Sequence, residues 1–163
     1  MRKIRNVWVV VADGAKARFY TPNDNLSGFQ AAGPVIALSR GAKLRSRELK
    51  SDRPGRSIGS TRNGIRHAIE PKHDHHKLEK HRFTAAVTDL LDRALREGAF
   101  DDLVIVAPRR SLGEMRILLP DHVKARVQQE LAKDLTRHSA GELWKKLAAT
   151  VAPLSTRKPR RVA

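Results

Sequence analysis

Histidine and arginine crowd the middle of this chain, and they are the side chains with most chemistry to offer. His67, His73, His75, His76 and His81 fall within fifteen residues, with Asp74 among them. Neutral imidazoles are common transition-metal ligands, which makes His73, His75 and His76 candidate ligands. Their spacing matches no established zinc pattern, however, and the cationic neighbours oppose a dication. The expectation is a solvated polar stretch that gains charge as pH falls towards about 6, with no metal and no other cofactor. Just upstream, residues 51–57 (SDRPGRS) set Asp52 beside Arg53 and Arg56 around Pro54-Gly55. A Pro-Gly turn can present both guanidiniums on one side as a fork for phosphate or carboxylate. In the competing reading Asp52 pins the segment to the scaffold by an ion pair. Residues 59–64 (GSTRNG) have phosphate-loop glycine spacing but run on into Ile-Arg instead of Lys-Ser/Thr, which excludes a nucleoside triphosphatase.

Two further stretches bear on catalysis and anion binding. Asp13 ends an apolar run, where a carboxylate of a two-metal nuclease would lie. It also serves an Asp13-Gly14 turn, the run at 103–107 carries no acid, and Asp89 and Asp92 belong to the polar side of a helix. Residues 108–116 (PRRSLGEMR) begin just past a parallel-type strand, where α/β sheets place ligands. Arg109 and Arg110 at a helix N-terminus suit an anion, and Gly113 within that helix permits another backbone to approach closely. Lys133 and Asp134 would complete the same edge.

These residues sit in an uneven field of charge. The net charge is +16, and half of it comes from residues 40–82, with thirteen Lys or Arg against five Asp or Glu. Residues 83–156 are nearly balanced, and the end of the chain (RKPRRVA) adds four bases without an acid. A near-neutral scaffold holding out a cationic arm is the implied design.

The scaffold must come from one domain, because 163 residues suffice for a single core. There is no cysteine, so a reducing cytoplasm is the simplest setting. The N-terminal apolar run is too short for a signal peptide core or a bilayer span. Residues 7–12 (VWVVVA) read as a strand buried on both faces, and Asp13-Gly14, which adopts positive φ at low cost, as a hairpin turn. Residues 15–20 read as a second strand with one covered face, and 29–38 as a weaker third, bulged at Gly33-Pro34. Residues 40–79 lack helical or strand period and read as a long basic loop. Order is expected to resume at Lys80 with a helix through Phe83, Val87, Leu90, Leu91 and Leu95, stopped by Gly98. A short strand (LVIVA), a helix marked by Leu112 and Met115, an ambiguous segment at 127–135, and a helix capped by Ser139 and Glu142 complete the order. The tail 157–163 is expected to be disordered. The pattern is that of a mixed α/β domain spanning 1–156.

Four blocks recur as a set in this order: VWVVVADGAKARFY, SDRPGRS, LVIVAPRRSLGEMR and ELAKDLTRH. Together they resemble the host attachment protein family, named for being required for attachment to host cells. That family is in turn similar to the middle domain of archaeal and eukaryotic peptide-chain release factors and of Pelota. The resemblance implies an RNase H-like fold of the translational-machinery-component type, with a roughly five-stranded mixed sheet and a strand at 127–134. It marks Asp13, Gly14, Arg18, Asp52, Arg53, Pro54, Gly55, Arg56, Pro108, Leu112, Gly113, Arg116, Lys133, Asp134 and Leu135 as motif positions. The resulting expectation is a non-enzymatic cytoplasmic protein that associates with RNA or the ribosome. Arg45, Arg47, Arg53, Arg56, Arg62 and Arg66 of the loop, with Arg109 and Arg110, would meet phosphates. A protein-interaction role in attachment, through an acidic partner, is the alternative, and a metal-dependent nuclease the third reading.

Overall fold

The two unbroken apolar runs form the centre of the sheet. The computed structural model describes residues 5–38 and 71–157, and within them β1 (Val7–Ala12) lies parallel to β5 (Asp102–Ala107). Every residue of both strands is buried. Trp8, Val10, Leu103 and Ile105 point into one apolar layer, and Val7, Val9, Val11, Val104 and Val106 into the other. Double burial explains why neither run shows a polar alternate position.

β2 (Lys16–Pro22) returns antiparallel to β1, with Ala12 opposite Ala17. β3 (Phe29–Ala31) and β4 (Ile36–Ala37) both pair with β2. On the other side β6 (Val127–Ala132) is parallel to β5, with a register shift beside Leu103 and Val104. The order β3-β2-β1-β5-β6, with β4 beside β2, makes a mixed six-stranded sheet. Residues 29–38 are therefore two short strands where one was expected, because Gly33-Pro34 interrupts the ladder and proline has no N–H to give it. The ambiguous segment after Arg126 is a strand. Tyr20, expected on an open face, is buried because that face is covered too.

α1 (Pro71–Arg96), α2 (Arg109–Leu118) and α3 (Asp121–Lys124) cover one face, joining the layer of Trp8 and Ile105 through Phe83, Val87, Leu91, Leu112, Met115 and Val123. Gly98, with φ of 73°, ends the first helix region as expected. α1 begins at Pro71, so residues 71–79 are helical and not part of a loop. Periodicity missed these turns because they carry no apolar stripe; the side chains at 75–78 are exposed. Proline is favoured at a first helical position, where its missing N–H costs nothing. A helix of 26 residues is about 39 Å long, roughly twice the span of a six-residue strand. α1 feeds β5 through a short connection, so its polar N-terminal part overhangs the carboxyl end of the parallel strands.

α4 (Ala140–Ser155) covers the second face, burying Leu143, Leu147 and Val151. The expected capping box is present: Ser139 Oγ accepts the Glu142 N–H and Glu142 Oε2 accepts the Ser139 N–H, each at 3.2 Å. Trp144 meets Phe29 edge-on at 5.0 Å, tying α4 to β3. Ahead of β1, the Arg5 guanidinium forks onto Asp102, with Nε–Oδ2 at 2.6 Å and Nη2–Oδ1 at 2.8 Å. Arg45, Arg47, Arg53, Arg56, Arg62 and Arg66, the whole of SDRPGRS and residues 158–163 lie outside the described residues, and with them most of the expected basic loop and tail.

Candidate functional site

The carboxyl ends of β1, β5 and β6 adjoin, and three sequence motifs meet there. β1 delivers Asp13-Gly14, β5 delivers Pro108-Arg109-Arg110, and β6 delivers Lys133-Asp134. The two carboxylates at this edge are occupied internally. Asp13 Oδ1 accepts the N–H groups of Ala15 and Lys16, both at 2.7 Å. Its second oxygen lies 3.0 Å from the Thr136 hydroxyl, which is 2.8 Å from Asp134 Oδ1. Asp134 Oδ1 also accepts the Thr136 N–H at 3.2 Å. One hydroxyl thus stands between two carboxylates 121 positions apart in sequence, and Thr136 itself is buried. Asp13 builds the hairpin turn through its carboxylate; neither it nor Gly14 adopts the positive φ that the Asp-Gly pair led one to expect.

Other motif residues are also structural. Leu112 and Leu135 are core residues of opposite layers. Arg18 points its guanidinium at the His138 carbonyl, 3.5 Å away. Arg116 pairs with Glu130 of β6, its Nε at 2.7 Å, and that contact raises the guanidinium above its ordinary pKa. A side chain added at Gly113 would meet open space, so this glycine marks no close backbone approach. His138 Nδ1 lies 3.0 Å from Glu142 Oε2; this bond first, and then the Ser139 N–H, hold the Glu142 carboxyl below its usual range. Asp92 is held down in the same way, chiefly by His122.

Beside Asp134, which is itself exposed, the edge presents several cations. Arg109 and Arg110 are exposed on the first turn of α2, which has neither a side-chain cap nor an acid in that turn. The overhang of α1 brings exposed Lys77, Lys80 and His81 alongside them; Lys80 Cε lies 3.9 Å from where a Cβ on Gly14 would be. Lys77, Lys80, His81 and Arg110, with Ile117 and Leu118, line a groove of about 270 Å³ between α1 and α2. Leu38, whose N–H donates to the Ala15 carbonyl at 2.7 Å, marks where the chain leaves the sheet for residues 39–70. It leaves at this edge and re-enters at Pro71, at the head of α1. Leu38 thus precedes the basic segment beside Ala15 of this edge, and Pro71 begins the helix whose next turns carry Lys77 and Lys80.

His75 and His76 are exposed, and successive helical positions do not face each other, so they make no ligand pair. The side chain of His73 is outside the described residues. Among the described residues no group of three or more His, Cys, Asp or Glu is placed to hold a metal. Sequence reasoning missed Thr136, Lys77 and Lys80; Thr136 follows Asp134 by two residues, a common spacing for local side-chain bonding, but its tie to Asp13 is purely tertiary.

Among the described residues no helix is long and apolar enough to cross a membrane. No curated protein matches the sequence. Over residues 8–147 the chain matches the family described as protein required for attachment to host cells, and it belongs to that family.

Proposed function

We propose that this protein is a non-enzymatic binding module, working in the cytoplasm, that associates with RNA or the ribosome through its basic segment and the adjoining cationic edge. One observation carries the reading: Leu38, which precedes the basic segment, is bonded to Ala15 at the edge that exposes Lys80, Arg109, Arg110 and Lys133. Phosphates are the natural ligands of so dense a cationic surface, and their contacts supply affinity without reading sequence. The reading takes the family to be similar to the middle domain of release factors and Pelota, as the four sequence blocks suggested, and on that footing the surface would serve translation. Asp13 and Asp134 are engaged by backbone N–H groups and Thr136, which supports a structural role for them.

The test is RNA binding by full-length protein at several salt concentrations. If the six loop arginines each meet a phosphate, log Kd changes with log salt with a slope of about 4 for single strands. Deleting residues 45–66 should flatten that slope and weaken binding throughout. Unchanged affinity and slope after the deletion would sink the proposal. A second reading keeps to the family's description, attachment to host cells, and supposes an acidic protein partner as its means. A pull-down whose catch survives nuclease treatment would favour it.

A further inference from the structure

The groove between α1 and α2 exposes aliphatic surface for which phosphate binding has no use. Ile117 is 81% exposed and lines the groove with Leu118, alongside Lys77, Lys80, His81 and Arg110. Isolated exposed apolar residues are ordinary, but this one shares its groove with Lys77, Lys80 and Arg110. A phosphodiester backbone would neutralise the rim and leave Ile117 in water. A segment carrying an aliphatic side chain between carboxylates would cover both.

Size and charge point the same way. At about 270 Å³ the groove is smaller than the roughly 300–1,000 Å³ that encloses a drug-sized ligand, and it has room for one or two side chains. Lys77 and Lys80 are three residues apart and share one face of α1. Arg110 faces them from α2, held by Glu114 at 3.4 Å, the one carboxylate among the described residues lining the groove. The lining is therefore net positive, and its complement is acidic.

We propose that this groove docks an acidic amphipathic segment of a partner protein. An aliphatic side chain of the partner seats against Ile117 and Leu118, and flanking carboxylates meet Lys77, Lys80 and Arg110, in the helix-in-groove manner. The inference goes beyond the RNA reading, because it rests on exposed aliphatic groups and not on charge alone.

The test uses the full chain and a fluorescein-labelled helical peptide of about sixteen residues, with Leu at i, i+4 and i+7 and Glu on the flanking positions. A control peptide replaces each Leu with Ser at unchanged charge. Fluorescence anisotropy should show the control binding at least about tenfold more weakly, and Ile117→Ser weakening the parent peptide by about tenfold, as loss of one seated aliphatic side chain implies. Thermal unfolding of Ile117→Ser should match the parent, since the side chain is exposed. RNA affinity should stay within about twofold in the same variant, because phosphates make no use of the isoleucine. Equal binding of the two peptides, no binding of either, or indifference to Ile117→Ser would overturn the proposal. Ile117 dependence seen only with RNA, or only with phosphatidylserine vesicles, would reassign the groove. Failure of RNA binding leaves the peptide result standing, so the two readings fall separately.

Discussion

Replacing Asp13 separates a structural carboxylate from a catalytic one. Its oxygens receive two backbone N–H groups at 2.7 Å and face the Thr136 hydroxyl at 3.0 Å. Asp13→Ala removes both acceptor oxygens and with them all three contacts. The Ala15 N–H is exposed and can turn to water, so the cost falls on Lys16 N–H and on buried Thr136. Hydrogen bonds to charged groups are worth about 1.5–3 kcal/mol each, less where water can replace them, giving a total of roughly 2–3 kcal/mol. For a chain of this length each kcal/mol lowers Tm by about 2–4 °C, so a fall of about 4–12 °C is expected. Asp13→Asn should behave differently. Its amide oxygen keeps the two backbone bonds, its NH2 can donate to the Thr136 oxygen, and the Thr136 proton is left for Asp134. Removing one of two nearby negative charges offsets the weaker acceptor, and the cost should be under about 1 kcal/mol. Urea and thermal unfolding followed by circular dichroism measure both variants. An Asn variant as unstable as Ala, or an Ala variant within about 0.5 kcal/mol of the parent, would refute the reasoning. Metal-stimulated cleavage of nucleic acid by the parent that vanishes in a stable Asp13→Asn would instead make Asp13 a catalytic residue.

Other consequences are as direct. Arg5 and Asp102 are 10% and 4% exposed in their side chains, so Arg5→Ala should cost about 3 kcal/mol or more in unfolding experiments, whereas the apolar pair Arg5→Met with Asp102→Leu should cost far less. Leu147→Ala opens a hole beneath α4 and should cost about 2–5 kcal/mol, with Lys146→Ala, its exposed neighbour, within about 0.5 kcal/mol of the parent. The Glu142 carboxyl is lowered by His138, so the stability it adds is present above its ordinary value of 4.5 and lost as pH falls through the lower folded value. His138→Ala should return that carboxyl upward, read by NMR titration of the Glu142 side chain; an unmoved titration would contradict the pairing.

Much of the architecture was legible because it is written in local pattern. The unbroken apolar runs at 7–12 and 103–107 announced doubly buried strands, Gly98 a helix end, and Ser139 with Glu142 a helix start. The four ordered blocks pointed to the family over most of the chain. Where local pattern misled, packing had overruled it. The first turns of α1 carry no apolar stripe because they overhang the sheet, so a helix read as loop. Gly33-Pro34 split a strand that composition alone joined, and Asp13 formed its turn by side-chain bonding without positive φ.

The candidate site divides along the same line. Residue types, charge concentration and the arginines beside a helix N-terminus are properties of the sequence by itself, since they require only counting and spacing. That Lys77, Lys80 and Arg110 share one groove around an exposed Ile117 was decided by the tertiary structure, through the length of α1 and its alignment against α2. So was the bridge from Asp13 through Thr136 to Asp134, and the placing of Leu38, just ahead of the basic segment, beside Ala15 at the same edge. Parallel pairing of β1, β5 and β6 places those strand ends side by side, and burial of two apolar layers, not any contact between neighbouring residues, selects that pairing.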